Sequence, residues 1–490
     1  MDTYIENLVE TLQRAGDRTV LRRDGVGTSA ADLLASIHRY ARALDRMGVG
    51  RGDLVAMMAP NRPEALAVRY AAHLIGAGAV YLSVPPDPQR RARMITQFDP
   101  RFVVVFPDTV ALLPPGIPEP VVAVGDVPGV DVRLDLFAAA ESSEPVACRA
   151  RPEDLAVVIS SGGTTGVPKG SRRDFASYTA AVVVPSPPGR RQLANGKLAY
   201  LTQILVDTTL LGGGTVVLQD SYEPVATLRA IEDEHITHLF LVEPQLFDLM
   251  DHPAVDDHDL TSLQAVTHIG ALAPPVLRER ARARLGPVVM HTYGASEIGI
   301  VSALSPAEHD RPSRFRCAGR VAPGVDVRFR AADGTLHLTA GHVEVRSPAM
   351  AQGYRHRASE EAENFVDGWY RTGDLGEIDD EGMLRILGRA VDIGEVGDVT
   401  LADVMDTLCR RSDVRYAVGV MDPDRGVRIA AVEAWPGGTV DVDGCRATVA
   451  EVLGADVADH LQVLPVETIP RTEQGKPNRP AIREAALPTA

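Results

Sequence analysis

Short apolar runs alternate along the chain with stretches whose apolar residues recur at helical spacing. Residues 28–48 show this spacing, with Thr28 or Ser29 as candidate N-cap and Gly48 as the stop. The run 54–58 predicts a buried strand, and a second helical stretch extends from Arg62 to Ile75. Two further apolar runs, 103–106 and 121–124, predict more buried strands. Strands alternating with helices favour an α/β fold with largely parallel sheets.

The second half of the chain predicts a change of architecture. The stretch 182–196 is rich in proline and glycine and predicts a surface loop inside a large domain. Residues 369–387 predict short strands joined by an Asp-Asp-Glu-Gly turn, and the last hundred residues predict a small α+β unit. We therefore expect one domain over 1–388 and a second over 389–490.

Composition restricts the class of protein further. The chain has 490 residues and a net charge of −16, so general binding to nucleic acid is not expected. Its four cysteines are far apart and lack CxxC spacing, which predicts reduced thiols. We also expect no membrane partner and a cytoplasmic location, because neither a leader segment nor an apolar run of about 20 residues is present.

The first chemical motif is a glycine-rich segment directly after the apolar run 155–159. Residues 160–170 read SSGGTTGVPKG, where backbone N–H groups can converge on an anion. Hydroxyl groups of Ser161, Thr164 and Thr165 add donors, and Lys169 adds a charge. The segment is not a Walker A loop, because GK[ST] is missing. It predicts phosphate binding, and the alternative is a simple surface turn.

Three more motifs follow in order, and together the four carry a resemblance. Residues 291–299 read HTYGASEIG, 369–375 read WYRTGDL with Gly388 and Arg389 after them, and 470–479 read PRTEQGKPNR. In this order and spacing the chain resembles the adenylate-forming superfamily of acyl-CoA synthetases, nonribosomal peptide adenylation domains and firefly luciferase. The resemblance covers about residues 28–479. It implies an α/β fold with a large N-terminal domain of packed β-sheets flanked by helices, which could include a small distorted barrel, and a small mobile C-terminal α+β lid domain.

The resemblance also implies roles for individual residues. Ser296 and Glu297 would hold the α-phosphate and Mg²⁺, and Lys476 would bridge the acid and the α-phosphate during adenylation. Asp374 would bind the ribose hydroxyl groups with Arg389 beside it. The remaining implied ATP-binding residues are Ser161, Gly162, Gly163, Thr164, Thr165, Gly166 and Lys169 on the phosphates, and Gly270, Ala271, Leu272, Tyr293 and Gly294 around adenine.

Each of these residues also has a purely structural interpretation. Glu297 could be a solvated acid at a helix start, and Asp374 a turn residue. Tyr293 could belong to the core, and Lys476, in a polar loop, could be a surface lysine.

Two regions depart from the family pattern. After the phosphate motif, where the family has a Ser/Thr-His pair, the chain reads SRRDF, with Arg172 and Arg173 near the expected phosphates. The stretch 200–204 also lacks a histidine that is frequent in the acid-binding segment. In the hinge, Val391 stands at the usual hinge position and Glu395 replaces a lysine, while Asp392 could act as the hinge. Adenylation is therefore expected, whereas the loop that the family uses for CoA is altered.

Three functions remain open at this point. The first is an ATP-dependent ligase that adenylates an organic acid, with a weak preference for an aryl acid, and transfers it to CoA or a carrier thiol. The second is an ATP-dependent diazotase that activates nitrite for attack by an arylamine, without CoA. The third is a catalytically inactive binding protein of the same fold.

Overall fold

The computed structural model describes residues 2–160, 168–269, 274–393 and 399–487. The predicted phosphate residues Ser161–Gly166 and the predicted adenine residues Gly270–Leu272 lie outside the described residues, as does Glu395.

The strands of the described residues are numbered in chain order. They are β1 (Thr19–Arg23), β2 (Val26–Ser29), β3 (Leu54–Met58), β4 (Gly78–Tyr81), β5 (Phe102–Val105), β6 (Val121–Ala123), β7 (Leu155–Ser160), β8 (Gly170–Asp174), β9 (Arg191–Ala194), β10 (Thr215–Leu218), β11 (His238–Val242), β12 (Ala265–Ile269), β13 (Val289–Ala295), β14 (Gly299–Leu304), β15 (Gly319–Val321), β16 (Asp326–Arg330), β17 (Leu336–His337), β18 (Ala340–Arg346), β19 (Gly353–Tyr354), β20 (Phe365–Val366), β21 (Trp369–Ile378), β22 (Met383–Arg389), β23 (Val414–Asp422), β24 (Val427–Ala434) and β25 (Leu461–Val466).

The helices are numbered in the same way. They are α1 (Tyr4–Ala15), α2 (Ala30–Arg46), α3 (Pro63–Leu74), α4 (Pro88–Phe98), α5 (Leu134–Ala139), α6 (Phe175–Val182), α7 (Gln203–Leu211), α8 (Pro224–Asp233), α9 (Glu243–Asp251), α10 (Pro275–Leu285), α11 (Ala358–Asn364), α12 (Ala390–Ile393), α13 (Leu401–Cys409), α14 (Val442–Leu453), α15 (Ala455–Asp459) and α16 (Arg479–Ala485). No helix of the described residues combines the length and apolar character needed to cross a membrane.

The strands of the first 389 residues form two large sheets. One has seven strands in the order β19-β8-β7-β4-β3-β5-β6, and its central strands β7, β4, β3, β5 and β6 are parallel. The other has 15 strands, and its neighbouring strands β13, β12, β11, β9, β10 and β1 are parallel, with β1 next to the edge strand β2. Strands that are covered on both faces read as continuous apolar runs in the sequence, as β3 and β5 do.

The second half of the larger sheet is antiparallel. From β13 the pairing runs through β14, β15, β22, β21, β18 and β16 to β17, around a core that includes Ile298, Phe329 and Val345. Within the described residues these strands extend the larger sheet and do not close into a ring. The sequence allowed a small distorted barrel in the N-terminal domain. In this part of the larger sheet the antiparallel strands of the described residues form an extension with a free edge at β17.

Residues 399–487 form a third, three-stranded sheet of β23, β24 and β25 with helices α13–α16. The expected small α+β unit is present. One buried apolar cluster runs from this unit into α9 and α10, and the rings of Phe247 and Tyr416 lie 5.4 Å apart across it.

The sequence located most of the early elements. Helix α2 begins after Ser29, whose hydroxyl oxygen accepts a hydrogen bond from the Asp32 amide at 3.0 Å, and Gly48 follows its end with φ of +76°. The prediction of a surface loop over 182–196 was wrong at its end: β9 (Arg191–Ala194) is a buried strand between β10 and β11. Arginine and glutamine open this strand, so its apolar signal is too short to recognise.

Candidate active site

Two cavities meet at Lys476. The large cavity, of about 840 Å³, lies between the β13–β14 and β21–β22 hairpins and the C-terminal unit. The small cavity, of about 190 Å³, lies beside β7, β8, β11 and β14. Residues 294–296 and Lys476 line both. A group in one cavity can therefore be covalently joined to a group in the other at this position.

The turn between β13 and β14 presents Ser296 and Glu297. The register of the two strands shifts at Gly294, where an added Cβ would lie 2.2 Å from the carbonyl oxygen of Gly299. Glycine is therefore required for the close approach of the two strands. The Ser171 hydroxyl group donates to the carbonyl oxygen of Ser296 at 3.0 Å and fixes the turn to the smaller sheet.

Glu297 is buried and its carboxylate accepts two hydrogen bonds. Tyr354 donates to Oε1 at 3.1 Å, and the Ser296 hydroxyl group donates to Oε2 at 2.9 Å. The ammonium of Lys169 lies 5.1 Å from the centre of the Tyr354 ring, which places it in the same wall of the large cavity. The Glu297 carboxylate is thus fixed by two hydrogen bonds and lines the large cavity, and it is not a solvated acid at a helix start.

Asp374 lies at the centre of a second group. Tyr293 donates to its Oδ2 at 2.6 Å, and Nε of Arg389 lies 3.2 Å from its Oδ1. Burial raises the pKa of Asp374, whereas the nearby carboxylate of Asp374 raises the pKa of Arg389. All three side chains line the large cavity, and Tyr293 also packs against the apolar core around Ile298 and Phe329.

Lys476 lies in a hairpin that the C-terminal unit inserts between the cavities. The Thr472 amide donates to the Lys476 carbonyl oxygen at 2.8 Å, and Gly475 turns the chain with φ of +78°. Burial and the charge of Arg389 lower the pKa of Lys476, and Glu297 opposes them. The side chain of Lys476 is half-buried and lines both cavities.

The hinge region carries an unexpected ion pair. Asp392 in α12 is buried and forms a salt bridge with Arg479, and Arg483 lies 3.6 Å from its other oxygen. Both arginines belong to α16 at the end of the chain. Val391, at the usual hinge position, is exposed and lines the large cavity. Asp392 thus ties the start of the C-terminal unit to its end.

The small cavity is mainly apolar with a few polar groups. Its wall includes Ile159, Tyr200, Leu201, Ile204, Tyr222, Phe240, Val242, Ile269 and Ile300. Tyr200 sits at a kink before α7 and donates a hydrogen bond to Glu473 of the Lys476 hairpin.

The two arginines that replace part of the family motif separate on opposite faces of β8. Arg172 pairs with Glu361 at 3.0 Å outside the cavities. Arg173 is 1% exposed and lines the small cavity. Of the two, Arg173 lines a cavity and Arg172 does not, because adjacent strand residues point in opposite directions.

Sequence reasoning missed four residues of this site. Tyr354, Tyr200, Glu473 and Arg479 all line one of the cavities. Glu473 and Arg479 lie inside a recognised motif, so their position was an available signal. The two tyrosines reach the site only through long-range packing, and no local pattern marks them.

All three lysines of the chain are in this site. Lys169 lines the large cavity, Lys197 lines the small one, and Lys476 lines both. Arginine supplies the remaining 47 of the 50 basic residues, which are Lys and Arg together.

Comparison with known proteins agrees with this geometry. Residues 8–355 match the family of AMP-binding enzymes. The chain is 28% identical to a medium/long-chain-fatty-acid–CoA ligase of Mycobacterium tuberculosis, over 97% of this chain and 89% of that enzyme. It is 27% identical to an indoleacetate–CoA ligase of Aromatoleum aromaticum, over 95% of each.

A solved structure is similar over the whole chain. The amide bond synthetase McbA of Marinactinospora thermotolerans superimposes with a TM-score of 0.85 and 31% identity, over 98% of this chain and 99% of that one.

The chain belongs to the AMP-binding enzyme family. It is an adenylate-forming ligase, which activates an acid with ATP and then transfers the acyl group to an acceptor.

Proposed function

We propose that this enzyme joins an aryl carboxylic acid to an amine, forming an amide through an acyl-adenylate. The observation that carries the proposal is the junction at Lys476 of a large cavity with a small, mainly apolar one. The likeness to an amide bond synthetase over nearly the whole chain supports the choice of product.

The small cavity favours an aromatic acid. Its volume of about 190 Å³ compares with the roughly 150 Å³ of a protein cavity that holds benzene. Aromatic and branched aliphatic side chains, such as Phe240, Tyr222 and Ile300, form much of its wall and suit a flat ring. The relative that acts on indoleacetate supports the same class of acid.

The altered hinge favours an amine as acceptor. Val391 and Glu395 stand where the family has a different hinge residue and a lysine before its CoA loop, so CoA is a doubtful acceptor. An amine needs no tunnel for a long thiol arm. An amine acceptor also fits the likeness to the amide bond synthetase.

The residues described above suit the first half-reaction. A carboxylate oxygen of the acid attacks the α-phosphorus of ATP, and pyrophosphate leaves. We assign Lys476 and Ser296 to the α-phosphate and Asp374, Arg389 and Tyr293 to the nucleoside. Lys169 and the segment Ser161–Gly166 are assigned to the outer phosphates, and Gly270, Ala271, Leu272 and Gly294 to adenine. Held cations offset the repulsion between the two anions, and this lowers the barrier without a covalent enzyme intermediate.

Glu297 fits a magnesium site. Its buried carboxylate lines the large cavity beside Ser296, and each of its oxygens keeps a lone pair beyond the one hydrogen bond it accepts. Mg²⁺ is commonly held by one or two carboxylates together with substrate phosphates. When bound, the ion would neutralise phosphate charge.

In the second half-reaction the neutral amine attacks the acyl carbon. A C–N bond forms, the bond to the AMP oxygen breaks, and the amine nitrogen loses a proton. Rotation of the proposed C-terminal domain, 389–490, would withdraw Lys476 and open a path for the amine. We also propose a cytoplasmic location, because all four cysteines are unpaired.

The diazotase alternative keeps one supporting observation. Arg173 provides a buried cation in the small cavity. The cavity is larger than nitrite requires, and its apolar side chains have no use in binding so small an anion. An inactive binding protein is less consistent with the carboxylates of Glu297 and Asp374 and the ammonium of Lys476, which all line the large cavity.

The experiment measures pyrophosphate release with ATP and Mg²⁺ against a panel of aryl, alkyl and fatty acids, nitrite included. Each acid is run with CoA, with a panel of amines, and with neither, and products are identified by mass spectrometry. We expect an amide from an aryl acid and an amine, with no requirement for CoA. Turnover that needs CoA, or nitrite turnover with an arylamine, would overturn the proposal.

A further inference from the structure

One side chain of the small cavity has no use in the reaction described so far. Arg173 is 1% exposed, and its Nε donates to the carbonyl oxygen of Ala349 at 2.7 Å. Its Nη1 is buried and has no hydrogen-bond partner among the described residues. Buried guanidinium groups normally have their donors satisfied, so an unpartnered one in a cavity wall indicates a missing acceptor.

A second unpartnered group lies in the same cavity. The Ser160 hydroxyl group at the end of β7 is buried and has no partner among the described residues. β7 and β8 are adjacent antiparallel strands, so Ser160 and Arg173 reach the cavity from the same sheet. In this register Arg173 lies opposite Val157 and Ser160 lies opposite Gly170, so the two side chains leave opposite faces of the sheet and cannot be assigned to one ligand group.

The charge of the cavity agrees with an acceptor that carries negative charge or a strong dipole. Lys197, Arg173 and Lys476 line it, whereas Glu473 is the carboxylate that lines it among the described residues. Oε1 of Glu473 accepts from the Val84 amide at 3.1 Å and from Tyr200, and its Oε2 is buried without a partner among the described residues. Three cationic side chains against one carboxylate give the cavity wall a net positive charge.

Arg173 lines the small cavity and not the large one, whereas Ser296 and Lys476 line both. Arg173 also contacts Ala349, which lies beside Gly299 of β14. This is the wall of the cavity beyond the Ser296 turn.

We propose that the acid substrate carries an oxygen acceptor in addition to the carboxylate that is activated, and that Nη1 of Arg173 recognises it. The inference rests on the proposed function and names the substrate class of the same site: aryl acids with a carbonyl or a second carboxylate on the ring. Arg173 is then a specificity-determining residue. An acid without the acceptor leaves buried donors unpaired, and this penalty discriminates strongly.

The test is ATP–pyrophosphate exchange without amine, using benzoic acids that differ at one position. The meta or para substituent is acetyl, carboxylate or the apolar isopropyl group of similar size. We expect kcat/KM for the best oxygen-bearing acid to exceed that for its isopropyl counterpart by about tenfold or more. The Arg173→Met variant should lose this preference and retain exchange with the isopropyl acid.

Arg172→Met is the matched control, because Arg172 pairs with Glu361 outside the cavity. It should keep the preference of the unchanged enzyme. Thermal melting and ATP binding of both variants show that they are folded.

The outcomes separate the two proposals. Exchange with aryl acids but without preference, or a preference that survives Arg173→Met in a folded enzyme, overturns the role of Arg173 and leaves the amide ligase standing. Exchange with no aryl acid at all overturns both. Amide formation is measured separately, so its failure does not affect the result for Arg173.

Discussion

The Tyr293 hydroxyl group donates a 2.6 Å hydrogen bond to Asp374, while Arg389 approaches the other oxygen of the same carboxylate. Asp374 is therefore oriented from both sides before a nucleotide arrives. Asp374→Asn should raise the KM for ATP by roughly 10- to 100-fold, the equivalent of losing one charged hydrogen bond of about 1.5–3 kcal/mol.

The measurement is ATP–pyrophosphate exchange at varied ATP. Asp379→Asn serves as the control, because Asp379 lies in the exposed turn between β21 and β22. An unchanged KM for ATP in the Asp374→Asn enzyme would contradict the assignment to the nucleoside.

Removal of the Lys476 ammonium should separate chemistry from binding. Lys476→Ala is expected to lower the rate of adenylation by roughly 100-fold or more, since the charge that offsets the two anions is lost. ATP affinity should change much less. Single-turnover formation of acyl-AMP and calorimetric binding of ATP measure the two effects, and pyrophosphate release at the unaltered rate would refute the assignment.

The salt bridge between Asp392 and Arg479 should stabilise the C-terminal unit. Asp392→Asn leaves two arginines of α16 without their carboxylate, and we expect a loss of about 1.5–3 kcal/mol in the free energy of unfolding. Denaturant unfolding measures this loss. The exposed Asp380, in the β21–β22 turn, provides the control variant Asp380→Asn. A double-mutant cycle with Arg479→Met should show coupling, and independent effects would argue against the bridge.

Stability should depend on pH through Glu243, a buried residue of α9 that accepts a 2.8 Å hydrogen bond from Tyr416 of the C-terminal unit. Burial raises the pKa of Glu243 from 4.5 to about 7. The folded state therefore holds this proton more tightly than the unfolded state. Its contribution to stability is complete below pH 4.5 and is lost as the pH rises through 7.

The expected loss between pH 5 and pH 8 is about 2–3 kcal/mol in the free energy of unfolding. Denaturant unfolding at several pH values measures it. Glu243→Gln cannot ionise and should remove this part of the pH dependence. A variant with the same pH dependence as the unchanged protein would show that Glu243 titrates normally.

Much of the fold follows from local pattern. Apolar runs located β3 and the helices on either side of it, because strands buried on both faces are apolar throughout. The sequence did not predict β9 because its first two residues are polar. The burial of β9 depends on β10 and β11, which lie 20 or more residues away in the sequence. Only the assembled sheet reveals it.

In the candidate site, too, some residues follow from local motifs and others only from long-range packing. The order and spacing of four motifs predicted Ser296, Glu297, Asp374, Arg389 and Lys476, and the structure places all five around the large cavity. The motifs could not separate Arg172 from Arg173, since the register of β8 decides which side chain enters the small cavity. Tyr354 reaches Glu297 across 57 residues of sequence, and no local pattern predicts such a contact.

The location of the lysines determines where a released acyl-adenylate could acylate the enzyme itself. A mixed anhydride of a carboxylic acid and AMP acylates amines without enzymatic help. Arginine, which provides the rest of the basic charge, stays protonated and is a poor nucleophile. Apart from the α-amino group, the primary amines of this protein lie only in the walls of its two cavities. The outer surface therefore offers an escaping anhydride almost nothing to modify, and any self-acylation is concentrated at Lys169, Lys197 and Lys476, where it would also report on the chemistry of the site.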